Sequence, residues 1–198
     1  VDDPTAFDLD PDIGSFVDLD TSQGDPVVAL QVRTDVLAAY LRDARWDLWA
    51  TGVSADPVDK RQTNASVGAV GPQAVLPWGR DHVFVGKRNV IRTNGYDDVS
   101  LSSPPAVLPP AVSPSIQRTL RDVVEDSRRE YMSIASWRAK DQVWVTYTQD
   151  GSTSNDRILV YDATRGVWSK YDIPVDTLGE LEDGNDVPGI YGIVKGFL

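Results

Sequence analysis

The sequence predicts an all-β fold of repeated antiparallel units, and three observations carry that expectation. Short runs of aromatic and β-branched residues alternate with polar ones from Val27 to Tyr171, the period-two pattern of half-buried strands. Polar turns rich in Asp, Gly and Ser separate these runs. The 30 acidic residues divide into 26 Asp and only 4 Glu, a bias toward turns and caps over helix interiors.

Taken in order, Val27–Val32, Val36–Tyr40 and Trp46–Ala50 are three short strands, with Ser15–Leu19 as the expected fourth. Gln73–Trp78, His82–Gly86 and Asn89–Arg92 repeat the pattern, and Pro77, lacking an amide hydrogen, marks an edge strand. Pro104–Pro110 is a proline-rich linker. Ser113 then offers an N-cap and Pro114 a first helical residue. Ile116, Leu120, Val123 and Val124 share one face while Arg118, Arg121, Asp122 and Glu125 face out. This spacing predicts an amphipathic helix over Pro114–Asp126, roughly three to four turns long, serving as a packed connector or as a subunit contact. The clearest unit follows: Tyr131–Trp137, a polar break at Arg138–Asp141, Gln142–Thr148, a loop headed by Asp150-Gly151, Arg157–Asp162, and Val167–Tyr171. Arg157–Asp162 is mostly apolar and so expected at the centre of its sheet.

Four antiparallel strands in about forty residues match one β-propeller blade. The chain therefore reads as a propeller-like array of four-stranded antiparallel blades with one inserted amphipathic helix. Residues 1–103 hold the first blades, 104–127 the linker and helix, and 128–198 the C-terminal blade with a closing strand at Ile190–Val194. A ring needs about four to eight blades. Three blades and a fragment are expected to leave sheet edges that copies, other chains or more of the same polypeptide cover. The opening Val1-Asp2-Asp3-Pro4 lacks both Met and a signal-peptide pattern, so a processed chain or part of a longer one is expected.

Composition excludes several chemistries. With no Cys there is no disulfide scaffold, thiolate zinc site, iron–sulfur cluster or thiol nucleophile. A single His, His82, argues against multi-histidine metal sites and histidine-based catalysis. A net charge of −11 disfavours general nucleic-acid binding, and no apolar run is long enough for a membrane helix. Asp8, Asp10 and Asp12 before Gly14, and Asp18, Asp20 and Ser22 before Gly24, resemble calcium loops. Their Gly falls at the seventh position instead of the sixth, however, and Leu19 and Ala29 occupy the twelfth, where the loop needs Glu. Solvated acidic turns are the simpler reading. Gln149-Asp150-Gly151-Ser152-Thr153 echoes an Asp-box turn but lacks its aromatic, which leaves a hairpin loop. His82 is expected as a half-exposed sheet residue. Trp46, Trp49, Trp78, Trp137, Trp144 and Trp168 lie in or beside strands, which favours packing between blades over a sugar-binding platform. No catalytic, cofactor-binding or metal-binding residues are therefore nominated, and no cofactor is expected.

The order of elements resembles a known group. Gln73–Trp78 with His82–Val90, then Ile91–Tyr96 and Ser113-Pro114-Ser115-Ile116, are similar to successive motifs of tailed-phage propeller proteins. Asn155–Ser169, containing Tyr161-Asp162 and Trp168, resembles the "YD…W" signature of tail-nozzle and related virion structural proteins. The likeness extends over about residues 12 to 173, and Asn94-Gly95 departs from the group's usual Asp-Gly. The resemblance implies a non-enzymatic structural protein of the virion, in the tail, nozzle or head-to-tail channel. Its partners would be copies of itself and other tail proteins. An acidic lumen would let DNA pass without specific binding. A carbohydrate- or protein-binding propeller module is the alternative, and a propeller glycoside hydrolase using paired carboxylates a further one.

Overall fold

Alternating side chains dictate sheets with two useful faces, and the chain forms them in sequence order. The structure is a computed structural model describing Val17, Leu19 and residues 24–53, 56–64, 66–102, 116–182 and 188–193. The first sheet is β1 (Val27–Arg33), β2 (Val36–Leu41), β3 (Arg45–Val53) and β4 (Asp56–Asn64). The second is β5 (Val75–Trp78), β6 (Asp81–Val85), β7 (Val90–Thr93) and β8 (Asp98–Ser100). After a short helix, α1 (Gln117–Asp122), the third comprises β9 (Ile134–Trp137), β10 (Gln142–Tyr147), β11 (Arg157–Asp162) and β12 (Val167–Tyr171). A two-stranded sheet, β13 (Thr177–Glu182) and β14 (Pro188–Ile193), ends the described chain. Every pairing is antiparallel between consecutive strands. The first strands of successive sheets pack in order, β1 on β5, β5 on β9, and β9 on β13.

Each gap between neighbouring sheets has its own core. Tyr40, Ala38, Phe84 and Ile91 fill the space between the first two sheets. Val83, Val85, Val143, Val145, Tyr147 and Leu159 join the second to the third. Ile158, Val160 and Ala135 meet Val175 and Leu178 of the last unit. The alternation explains the division: in β6 Phe84 points one way and its two Val neighbours the other, and in β11 Ile158 and Val160 oppose Leu159. Helix α1 adds Ile116, Leu120 and, just past its end, Val124 to the central core, so it is a packed connector, and Arg118, Arg121 and Asp122 face solvent as expected.

Several expectations need correction. Of Ser15–Leu19 only Val17 and Leu19 are described, and neither is in a strand. The fourth strand of the first sheet is β4, on the other side of β3. Its sequence, Asp56-Pro57-Val58-Asp59-Lys60-Arg61-Gln62-Thr63-Asn64, carries the charges and Pro of a protected edge. The helix is also shorter than Pro114–Asp126. Ser113 and Pro114 lie outside the described residues, and α1 stops at Asp122 because the β10–β11 loop competes for the backbone that follows. Val124 forms a β-bridge with Gln149, and the Glu125 amide donates to the Thr148 carbonyl at 2.9 Å. Glu125 then caps a 3₁₀ turn, Asp126–Tyr131, so Tyr131 precedes the strand assigned to it by pattern. Pro77 sits on β5, which among the described residues pairs with β6 alone, in keeping with its missing donor.

Candidate functional site

Charged residues within strands must pair when both faces of a sheet are covered, and the first two sheets enclose such a group. Arg45 is 1% exposed. Its guanidinium donates to Asp98 Oδ1 at 2.9 Å and to Thr63 Oγ1 at 3.1 Å, and lies over the rings of Phe84 and Tyr40. Burial alone would raise the Asp98 carboxyl, but hydrogen bonds from Arg45, Thr93 and Asn64 hold it below the ordinary carboxylate value. Beside it, His82 Nε2 lies 3.0 Å from the Val32 carbonyl, which can only accept, so Nε2 carries the proton. His82 Nδ1 then accepts from the Tyr40 hydroxyl at 2.8 Å. Burial pushes the imidazole below its usual value and the Tyr40 phenol well above its own. His82 is 1% exposed, which corrects the half-exposed placement expected for it.

One end of this seam opens into a cavity of about 610 Å³ lined by Arg33, Asp47, Trp49, Arg61, Arg80 and Tyr96, among others. Arg33 Nη2 donates to Asp47 Oδ2 at 2.7 Å, and Arg61 reaches the same oxygen at 3.4 Å. Arg33 Nη1 and Asp47 Oδ1 have no hydrogen-bond partner among the described residues, although Arg33 is 8% and Asp47 1% exposed. Unsatisfied groups this deep are costly, about 1–3 kcal/mol each. Gly95, at φ +93°, packs directly on Arg33: a Cβ there would fall 2.1 Å from Nη2. Thr34, on the rim, adopts φ +51°, a left-handed conformation that β-branched residues rarely accept. Tyr96 is 79% exposed, with the Arg61 guanidinium 5.0 Å from its ring centroid.

A second cleft, about 700 Å³, gathers Arg42, Lys87, Arg88, Arg121 and Arg129 near α1. Most of these cations are already matched. Arg42 pairs with Glu130 at 2.8 Å, Lys87 with Asp43 at 2.5 Å, Arg121 with Asp122 at 2.6 Å, and Arg129 with Asp126. This is a surface ion-pair network of small individual worth.

The remaining residues singled out by sequence take structural places. Asp8, Asp10, Asp12, Gly14, Asp18, Asp20 and Ser22 lie outside the described residues. Among the described residues no group of three or more His, Asp or Glu side chains is placed to hold a metal ion, and no helix is long and apolar enough to cross a membrane. In the Gln149–Asp156 loop, Asp156 accepts from the Gln149 amide at 3.0 Å and from Ser152 Oγ at 2.8 Å. Buried Asn155 donates to the carbonyls of Tyr131 and Asp176, both at 2.8 Å, so this loop is a hub joining three segments. Trp168 packs on Tyr161 at 5.0 Å between centroids, and its indole donates to the Leu101 carbonyl at 2.7 Å, linking the third sheet to the second. Trp78 also packs on the central core and Trp144 on the last one. Sequence reasoning missed Arg33, Arg45, Asp47 and Tyr96. The available signal was Arg45 and Asp47 at alternate positions of the otherwise apolar β3, which places both on one face.

No protein-family profile matches the chain, and no curated protein matches it. Among solved structures it is similar to the computationally designed Ika8 protein, at 12% identity and a TM-score of 0.44 over 84% of this chain. It spans 46% of that designed protein's length, and a superposition this loose bears on neither activity nor partners.

Proposed function

We propose that the chain is a non-enzymatic structural component of a tailed-phage virion, built of propeller blades and assembled with copies of itself or with other tail proteins. The observation that carries the reading is the contact of β1, β5, β9 and β13 in chain order. First strands of successive meanders that gather side by side suit blades around a common axis, whereas a two-sheet sandwich would face them across one core. The resemblance of Asn155–Ser169 to tail-nozzle proteins supports the same reading. In this segment Trp168 ties one sheet to the next, a role suited to a rigid wall. The net charge of −11 fits a conduit for DNA if the acids face its lumen. Quantitative mass spectrometry of density-purified particles from cells producing the chain tests the proposal. A fixed copy number per particle is the expected result, and recovery solely as free protein rejects it.

A further inference from the structure

Within the series of sheets, one face of each packs on the unit before it and the other on the unit after it. The two ends of the series lack such a neighbour. Leu30 and Val32 of β1 lie opposite Ala39 and Leu37 of β2, on the face turned away from Ala38 and Tyr40. Leu30, Val32 and Leu37 are exposed. Trp46 and Leu48 of β3 continue this row, and Lys60 of β4 stands beside them, its ammonium 5.9 Å from the Trp46 ring centroid. At the other end Gly192 faces the last core, where a Cβ would fall 2.7 Å from Val175. Its neighbours Tyr191 and Ile193 therefore point the other way, and both are exposed. Among the described residues no packing comparable to that of β1 on β5 joins β13 or β14 back to β1.

Charge and geometry together say which ends meet. Residues 172–193 carry six acidic side chains and no Lys or Arg, whereas residues 27–64 carry five of each sign. Two last units would repel each other, and a last unit against a first sheet would not. A last unit on a first sheet also repeats the contact already made three times within the chain, between one unit and the next in order. We infer, on the blade arrangement proposed above, that a second copy of this chain docks head to tail, its last unit covering Leu30, Val32 and Leu37 and its first sheet covering Tyr191 and Ile193. Two copies of four sheets each then close one ring of eight, within the range of about four to eight blades that rings use.

The chain has no Cys of its own, so thiols placed at the two ends test the docking. Val32→Cys and Ile193→Cys alter exposed side chains and should leave the chain folded. With a short bis-maleimide, an equal mixture of the two variants should give linked dimer at least about tenfold above the yield of either variant alone. A chain carrying both thiols should link into a product of two chains and stop there. Light scattering of the native chain should give the mass of two chains above about 10 μM. Equal linking within a single variant would mean that like faces meet, and a ladder of three or more chains would mean an open fibre. A link within one chain, or the mass of one chain at every concentration, would mean that no second copy covers these faces. Each of these results overturns the inference. A chain that stays single in solution yet enters particles at fixed copy number would reject this interface alone, and a solution dimer absent from particles would reject the virion role alone.

Discussion

His82 shows how one buried side chain makes the fold sensitive to acid. Its ring donates to the Val32 carbonyl and accepts from Tyr40, an arrangement available only to neutral imidazole. Because burial lowers its folded-state value below 6.5, the unfolded chain binds the extra proton first as pH falls. The stability His82 contributes is therefore complete above about pH 6.5 and declines below it, until the folded-state value is passed, with a slope of at most about 1.4 kcal/mol per pH unit. In His82→Gln an amide can keep both hydrogen bonds without titrating. Urea midpoints measured from pH 7.5 to 5 should fall for the native chain and stay nearly level in the variant. Parallel declines would show that other groups are responsible. The same residue illustrates what a sequence conceals. Alternation places His82 and Asp47 on strands, with Arg45 just before the expected start at Trp46, but whether a face meets water or a second sheet depends on tertiary neighbours, and here Phe84 and Tyr40 cover it.

At the scale of elements, strands that feed two cores were the legible ones. β6, β10 and β11 carry apolar residues on both faces, and their runs in the sequence are correspondingly clear. β4, β8 and β13 escaped detection for separate reasons. β4 is a polar edge, β8 has three residues, and β13 contains Gly179. The cavity was not legible, since Tyr96 and Arg80 come from turns whose meeting with Arg33 and Asp47 depends on the packing of two sheets. The link from β4 to β5 was likewise hidden, although it is among the tightest places in the molecule. There Ala69 donates to the Leu41 carbonyl at 2.9 Å and Val70 to that of Val85 at 2.9 Å. Between sheet and link, a Cβ on Gly68 would sit 1.9 Å from the Leu41 carbonyl oxygen, and backbone cannot yield as a side chain would. Gly68→Ala should destabilise the fold by about 3 kcal/mol, read as a lowered denaturation midpoint at unchanged m-value. A loss below about 0.5 kcal/mol would mean that the two segments do not approach so closely.

For the molecule as a whole, the exposed apolar side chains concentrate on the first and last units. Leu30 and Val32 of β1 are 59% and 62% exposed, and Ile193 of β14 is 65% exposed. Surfaces of this kind favour association, so sedimentation should show concentration-dependent assembly that Val32→Lys together with Ile193→Lys weakens. A monomer unchanged by concentration or by these substitutions would count against open edges. The separate core in each gap between sheets has a consequence for how the chain is made. Apolar contacts fall mainly between units adjacent in sequence, so every core can close once two neighbouring meanders have left the ribosome, without waiting for the end of the chain. Synthesis can then bury each greasy face soon after it emerges, and the interval in which bare strands could find the wrong partner is kept short at each step.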